Sequence, residues 1–327
     1  MRLSCLNEMA PTALITALLF GSPGIAAEPP AAPTARSITH AQIEAAYATP
    51  DSRFVAIDGV RLHYKDQGHG PAILLIHGSM GDTIDWDGWV DVLSPRYRVI
   101  RIDLPGFGLS GEISNGNYSI DRSLSLIDGL MDTLKLERFA IAGVSYGGPV
   151  AFRYAATRTE RVSALIIMNS AGIEMGKQPV DKKTGKGQFY SNISSDAPIT
   201  RSFVHAWLAH SFVDPARIPS GMLQRKLDMM NVIDRGIEGD TMIRQYERGD
   251  PERVLSHVRA PTLVLWGGAE RSLSVSTTDR FATALTHAAK VVKVIEPGGD
   301  HFMHVELAHD TAIIARDFLD TNTTKAP

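Results

Sequence analysis

Six short apolar runs, separated by longer segments of helical periodicity, dominate the chain between residues 73 and 295. Each run is almost continuously apolar, which is typical of strands buried on both faces of a parallel sheet. The intervening segments are long enough to be crossover helices, so the pattern predicts an α/β fold with a mostly parallel, doubly wound sheet. The predicted strands are Ile73–Ile76, Arg98–Ile102, Phe139–Val144, Ser163–Met168, Thr262–Trp266 and Val291–Ile295, and the predicted helices are Asp85–Leu93, Ile120–Leu134, Gly148–Ala156, Ser276–Leu285 and Val305–Leu319.

A hairpin and a short helix are predicted ahead of this alternation. Phe54–Ile57 and Val60–Lys65 flank Asp58-Gly59, a pair that readily takes the positive φ angles of a tight hairpin turn. Thr39-His40-Ala41-Gln42 has capping-box spacing in front of Ile43–Ala48, which predicts a helix there.

The strand–helix rhythm stops after Ser163–Met168 and resumes at Thr262–Trp266. About ninety residues lie between them, far too many for a bare loop. Apolar residues recur at helical spacing within 199–212 and 220–233. We therefore predict a helical cap over residues 173–250, inserted into a core formed by residues 51–172 and 251–322.

The first residues differ from the rest of the chain. The apolar run Pro11–Phe20 is followed by small residues up to Ala27, as in a secretory signal peptide cut after Ala27. We therefore expect residues 1–27 to be a signal peptide or an uncleaved membrane anchor, and residues 28–50 to be a linker and a short helix. A periplasmic or secreted location would follow, and the loss of Cys5, the single cysteine, would exclude thiol catalysis.

Composition narrows the class of protein further. The chain has 327 residues, 44% of them hydrophobic and 21% charged, which is ample for a large domain with a sizeable core. A net charge of −3 gives no electrostatic case for nucleic acid binding. The 11 histidines are scattered without metal-ligand spacing, so we expect neither a metal nor another cofactor, and only a small molecule as partner.

The most informative motif is Gly143-x-Ser145-x-Gly147, directly after the predicted strand Phe139–Val144 and before a helical segment. A serine on such a sharp strand-to-helix turn projects from the backbone, where a base can activate its hydroxyl. The glycines suit this turn because a side chain at either position would collide with the backbone. Ser145 is therefore the predicted nucleophile.

Two partners for Ser145 follow the last two predicted strands. Glu270 comes just after Thr262–Trp266, and His301 just after Val291–Ile295. The carboxyl ends of parallel strands meet at one edge of the sheet, where sites of α/β proteins lie. Histidine suits a general base because its pKa lies near neutrality, and a carboxylate can orient the imidazole. The order Ser, Glu, His is that of Ser…Asp/Glu…His hydrolases.

The sequence alone does not decide which carboxylate is the acid of this triad. Glu174 is the strongest rival of Glu270 because it follows the strand Ser163–Met168. Asp300 is adjacent to His301, so its side chain should point elsewhere. The full set of competing carboxylates is Asp103, Glu174, Asp279 and Asp300.

Two further segments carry a family resemblance. Ile73–Ser79 resembles a strand followed by an oxyanion His-Gly loop, and Arg101–Ser110 resembles an Asp-x-Pro-Gly-x-Gly-x-Ser turn. With the motif at Ser145, the chain resembles the α/β-hydrolase superfamily over about residues 54–320, in its serine esterase and epoxide-hydrolase-like branch. The resemblance implies an α/β-hydrolase fold with an inserted helical cap.

The resemblance also implies an oxyanion hole of two backbone N–H groups. One belongs to Tyr146 and the other to Ser79, with Met80 as the rival for the second position. His77 is expected to hold this loop. His304 and His309 are expected to be ordinary surface or capping residues.

The function that follows is a serine hydrolase acting on a carboxylic ester or lactone. Relatives that open epoxides or displace halides use an aspartate nucleophile, and Ser145 at that position argues against both reactions. The open alternatives are hydrolysis of a C–C bond in a vinylogous diketo acid, a cofactor-free perhydrolase, and a ligand receptor with a vestigial triad. Because the cap is rich in apolar and methionine side chains, we expect compact, moderately apolar substrates.

Overall fold

Apolar side chains alternate between the two faces of a central sheet, and helices cover both faces. The computed structural model describes residues 38–173, 198–232 and 249–323. Within them, eight strands form one sheet of order β1-β2-β4-β3-β5-β6-β7-β8. The pairs of β2 with β1 and with β4 are antiparallel, and the remaining pairs are parallel. The strands are β1 (Arg53–Ile57), β2 (Val60–Gln67), β3 (Ala72–Ile76), β4 (Arg98–Ile102), β5 (Phe139–Ser145), β6 (Val162–Ser170), β7 (Thr262–Gly267) and β8 (Val291–Glu296).

Strand β3 shows how this pattern builds two cores. Leu74 and Ile76 join the cluster on one face, whereas Ile73 and Leu75 join the cluster on the other. Helices α3, α4 and α8 contribute side chains to the first cluster, and α2 and α10 to the second. The helices are α1 (His40–Tyr47), α2 (Asp87–Leu93), α3 (Ile120–Thr133), α4 (Gly147–Thr157), α5 (Arg201–Ser211), α6 (Met222–Met230), α7 (Pro251–Leu255), α8 (Thr277–Ala284), α9 (Met303–Glu306) and α10 (Ala308–Asn322).

The predicted α/β architecture is confirmed, with strand boundaries within two residues of those expected. The hairpin turn takes the positive φ angles expected, 46° at Asp58 and 80° at Gly59. The capping box at Thr39 forms as well. The predicted helix Val305–Leu319 is wrong in one respect, because it is broken at Leu307, where φ −116° and ψ 40° are not helical. The predicted helix Asp85–Leu93 likewise starts as a 3-10 turn, Thr83–Trp86.

Helices α5 and α6 lie within the segment predicted to be a cap, joined by a 3-10 turn at Pro215–Arg217. Their apolar side chains share a core with Phe302, which follows β8. The edge-on contact of Trp207 with Phe302, with ring centroids 5.2 Å apart, fixes α5 against the sheet's carboxyl edge. The buried residues of this core are Ile199, Val204, Trp207, Leu208, Phe212, Met222 and Phe302.

Some of the sequence-based expectations fall outside the described residues. These are the signal peptide or anchor at residues 1–27 and the rival acid Glu174. Among the helices of the described ranges, none is both long and apolar enough to cross a membrane.

Candidate active site

Ser145 occupies a strained turn between β5 and α4. Its φ of 52° is unusual for a residue with a side chain, and such strain persists only where the surroundings enforce it. A Cβ atom at Gly143 would overlap the carbonyl oxygen of Gly147, and one at Gly147 would press on the carbonyl oxygens of Ile76 and His77. Glycine is therefore required on both sides of the turn, as the motif predicted.

The structure brings Ser145 together with both partners predicted for it. Nε2 of His301 lies 3.1 Å from Oγ of Ser145, and Nδ1 lies 3.0 Å from Oε2 of Glu270. Because the carboxylate can only accept from Nδ1–H, Nε2 carries the lone pair that accepts the Ser145 hydroxyl proton. Oε1 of Glu270 accepts from the backbone N–H groups of Ser272 and Leu273, at 2.6 and 3.0 Å. These bonds hold the longer glutamate side chain in place.

Burial and charge act in opposite directions on this pair. Burial of His301 disfavours its charged form, but the Glu270 carboxylate and its hydrogen bond outweigh that effect and raise the pKa of His301. Burial likewise opposes ionisation of Glu270, yet His301 and the backbone hydrogen bonds bring its pKa below the usual value. Glu270 therefore stays ionised near neutral pH, where it can stabilise an imidazolium.

The competing carboxylates in the described residues have other partners. Asp103 contacts His63 Nδ1 at 2.7 Å and accepts from the backbone N–H groups of Thr83 and Leu109. Asp300 accepts from Arg271 Nε and from the backbone N–H of His301, so its side chain points away from the imidazole, as expected. Asp279 is paired with Lys293. Glu270 is thus the only one of these described acids that contacts the His301 ring.

The loop after β3 lies directly against Ser145. A Cβ atom at Gly78 would come within 2.9 Å of the Ser145 Cβ, so the backbones of the two segments are in close contact. His77 Nε2 accepts from the Leu104 N–H, which makes Nδ1 the donor to the Gly78 carbonyl oxygen, at 2.7 Å. This bond pair supports the expectation that His77 holds the loop.

Both loop residues proposed for the oxyanion hole, Ser79 and its rival Met80, lie at the wall of the cavity above Ser145. Met80 has a φ of 59°, which turns the loop sharply at this point. Tyr146 precedes α4, and its ring is buried against Phe107 with the centroids 6.2 Å apart. The backbone N–H of Tyr146 is therefore at the start of a helix.

One expectation about the histidines is wrong. His304 was expected to be a surface or capping residue, but it is 2% exposed and lines the cavity with Ser145. The break at Leu307 makes α9 a single short turn. The ring of His304 on this turn packs inward against Trp86 and Phe302. The cavity is lined by Gly78, Ser79, Met80, Gly81, Asp85, Val144, Ser145, Trp207, His301, Phe302 and His304.

A buried ion network lies behind the cavity and joins α6 to the 3-10 turn after the Gly78 loop. Lys226 Nζ contacts Asp82 at 3.0 Å and both carboxylate oxygens of Asp85, at 2.7 and 2.8 Å. Arg225 contacts Asp82 as well, with its Nη2 at 3.1 Å from Oδ1. Two cations thus balance two carboxylates. This network could not be predicted from the sequence, because its partners are over 140 positions apart along the chain.

We expect Lys226→Met to lower the free energy of unfolding by about 3–5 kcal/mol at neutral pH, because it leaves buried carboxylates short of a counter-charge. Burial raises the pKa of Asp85, and removal of Lys226 would raise it further. Since a raised folded-state pKa costs stability as pH rises, the loss should shrink on acidification. Urea unfolding at neutral and mildly acidic pH measures both effects. The exposed Lys290→Met is the matched control, and a loss under about 1 kcal/mol would contradict the prediction.

Comparison with known proteins agrees with this geometry. The family profile of the α/β-hydrolase fold matches residues 71–307. The chain belongs to the α/β-hydrolase fold family. The protein is therefore a hydrolase of this fold, and the sheet order, the turn at Ser145 and the histidine after β8 are consistent with that membership.

The relatives of this α/β-hydrolase carry out different reactions. Haloalkane dehalogenase 2 of Mycobacterium tuberculosis is 28% identical over 232 residues, covering 66% of this chain and 77% of that one. A 2-hydroxy-6-oxononadienedioate/2-hydroxy-6-oxononatrienedioate hydrolase of Paraburkholderia phymatum is 27% identical over 239 residues, covering 70% and 81%. The crystal structure of a membrane phospholipase A, a bacterial virulence factor, has a TM-score of 0.72 and 26% identity, covering 84% and 86%. Family membership alone leaves the reaction open.

Proposed function

We propose that this α/β-hydrolase cleaves a carboxylic ester or lactone through an acyl-enzyme on Ser145. The observation that carries the proposal is the hydrogen-bonded series from Glu270 through His301 to Ser145, at 3.0 and 3.1 Å, at the base of a cavity. Only a positioned base makes a serine hydroxyl nucleophilic near neutral pH.

Acylation follows from this geometry. Oγ of Ser145 attacks the carbonyl carbon while Nε2 of His301 takes the hydroxyl proton, and Glu270 stabilises the resulting imidazolium. The carbonyl oxygen becomes an oxyanion, which the backbone N–H groups of Ser79 and Tyr146 stabilise. The C–O bond to the leaving alcohol then breaks, and His301 delivers its proton to that oxygen.

Deacylation repeats these steps with water. His301 takes a proton from water as its oxygen attacks the acyl carbon, and the oxyanion forms again at the same N–H groups. When the bond to Oγ breaks, His301 returns the proton to Ser145, and the carboxylic acid leaves. A lactone follows the same path, except that its alcohol stays attached to the acid.

The cavity supports ester cleavage over the C–C and halide reactions. As far as described residues form its wall, that wall carries no lysine or arginine side chain. A diketo acid would have to bury its carboxylate there without a cation, which is costly. Attack of Ser145 on an alkyl halide would leave an ether, which this triad cannot hydrolyse.

The lining also supports compact substrates. Met80, Val144, Trp207 and Phe302 give the cavity an apolar wall, and Trp207 comes from α5 above the site. Apolar walls with a few polar groups suit a small or medium acyl or alkoxy group and exclude bulk water. We therefore expect short soluble esters or lactones to be turned over faster than emulsified long-chain triglycerides.

The decisive experiment combines active-site labelling with a substrate panel. A fluorophosphonate probe should label Ser145, located by peptide mass spectrometry, because an activated hydroxyl attacks its phosphorus. The panel compares short esters, lactones, amides, phospholipid vesicles and dienoic C–C substrates, with kcat/KM as the measured quantity. Esters or lactones should give the highest values.

Each other outcome would point elsewhere. Labelling at a different serine would refute the nucleophile assignment. The highest kcat/KM on dienoic substrates would replace ester cleavage with C–C hydrolysis, and faster turnover of vesicles would make the helices above the cavity an interfacial lid. Tight ester binding with no turnover would indicate a receptor.

A further inference from the structure

Two polar side chains in the cavity have no part in the steps proposed above. Asp85 and His304 line the same cavity as Ser145 and His301, and they are 4% and 2% exposed. They come from the 3-10 turn Thr83–Trp86 and from α9, two elements that pack together. Buried polar groups in native proteins almost always have hydrogen-bond partners, so a polar atom at this wall without one calls for an explanation.

His304 has a ring nitrogen that could bind a ligand. Its Nδ1 is fully buried and has no hydrogen-bond partner within the described part of the chain. Burial, with the nearby His301 and Lys226, lowers the pKa of His304 well below its ordinary value. The ring is therefore neutral near pH 7, where it can donate one hydrogen bond and accept one.

Hydrogen bonds hold the Asp85 carboxylate in place but do not use all of its acceptor positions. Oδ1 accepts from Lys226 at 2.7 Å, and Oδ2 accepts from Lys226 at 2.8 Å and from the Asp82 N–H at 3.1 Å. A carboxylate has roughly four acceptor positions, so Oδ1 retains one. Its charge is already balanced by the network of Asp82, Arg225 and Lys226.

The electrostatics of this pair select the kind of group that fits. A carboxylate or phosphate would meet the charge of Asp85, and the neutral His304 would not compensate for it. An ammonium group would lie close to Lys226 and would lack a free countercharge. A hydroxyl group is neutral and both donates and accepts, so it can pair with Asp85 and His304 together.

We propose that Asp85 and His304 form a subsite that binds a free hydroxyl group of the substrate, so that the favoured substrates are hydroxylated esters. This inference rests on the proposed ester hydrolysis, whose cavity it shares. The hydroxyl belongs to the acyl or the alcohol portion, according to which of them occupies the side of the cavity formed by Gly81 and Asp85.

Two matched substrate pairs test the inference on the wild-type protein. Nitrophenyl hydroxybutanoate against nitrophenyl butanoate probes the acyl portion, and glycerol monobutanoate against propyl butanoate probes the alcohol portion. We expect kcat/KM to be about tenfold higher for the hydroxylated member of one pair, the size of effect that a well-placed hydrogen bond gives. Which pair responds identifies the portion that carries the hydroxyl.

A variant then assigns the preference to the subsite. The His304 ring centroid lies 4.9 Å from that of Trp86 and 5.3 Å from that of Phe302. His304→Phe keeps a ring at this position and removes both nitrogens. The preference ratio should fall toward one. His309→Phe is the matched control, because the His309 side chain is 76% exposed on α10, and it should leave the ratio unchanged.

The outcomes separate this inference from the one it rests on. Ser145-dependent turnover of plain esters with no preference in either pair would overturn the hydroxyl subsite alone. No Ser145-dependent turnover of any ester would overturn both. Should His304→Phe fail to fold, Asp85→Asn gives the second reading, and an unchanged ratio in a folded variant of either residue would overturn the assignment.

Discussion

Replacement of Ser145 by alanine is expected to lower kcat for ester hydrolysis by on the order of 10⁶-fold, the effect of removing the nucleophile from a serine triad. Alanine lacks the Oγ atom that lies 3.1 Å from His301 Nε2, so no acyl-enzyme can form. The backbone N–H groups remain and should leave a small residual rate over water. Initial rates on a soluble nitrophenyl ester measure the loss, and a circular dichroism melt shows whether the fold is intact.

The control for this prediction is Ser125→Ala, at an exposed position of α3 that does not line the cavity. It should keep wild-type kcat and should still be labelled by a fluorophosphonate. If the Ser145→Ala protein kept a tenth of wild-type kcat, water would be attacking the substrate directly, and the acyl-enzyme mechanism would be wrong.

The sequence predicted those parts of the site that follow from local pattern and strand order. Ser145 was recognisable from flanking glycines that a turn requires, and the structure shows the backbone contacts that require them. Glu270 and His301 were placed near it because both follow parallel strands, whose carboxyl ends share one edge. Their roles in catalysis stay predictions until the variants are measured.

The parts that the sequence did not predict depend on packing between distant segments. Lys226 lies in an amphipathic helix, where a lysine is expected to face solvent. In the structure it is fully buried between two carboxylates. His304 lies three residues after His301 in the short helix α9, and packing against Trp86 and Phe302 accompanies its place in the cavity wall. The one available signal was the short distance along the chain between His304 and the base His301.

Replacement of Glu270 by glutamine is expected to lower kcat by about 10⁴-fold with little change in the fold, as for the amide substitution in a comparable triad. An amide oxygen can still accept from the N–H groups of Ser272 and Leu273, so the side chain should stay in place. Its NH₂ group would then face His301 Nδ1 and favour the tautomer with the proton on Nε2. That tautomer cannot accept the Ser145 proton, and the neutral amide cannot stabilise an imidazolium. Steady-state kinetics against pH measure the loss.

The pH profile distinguishes this role from a merely structural one. Acylation needs neutral His301, so wild-type kcat/KM should fall as pH drops through the His301 pKa, which Glu270 raises. In Glu270→Gln the carboxylate is gone while burial remains, so the pKa of His301 should fall and the acid limb of the residual activity should move to lower pH. Glu174→Gln is the control and should leave both rate and profile unchanged. Glu270 would not be the triad acid if Glu174→Gln lowered kcat strongly while Glu270→Gln lowered it only slightly. The same conclusion would follow if the acid limb of Glu270→Gln stayed at the wild-type pH.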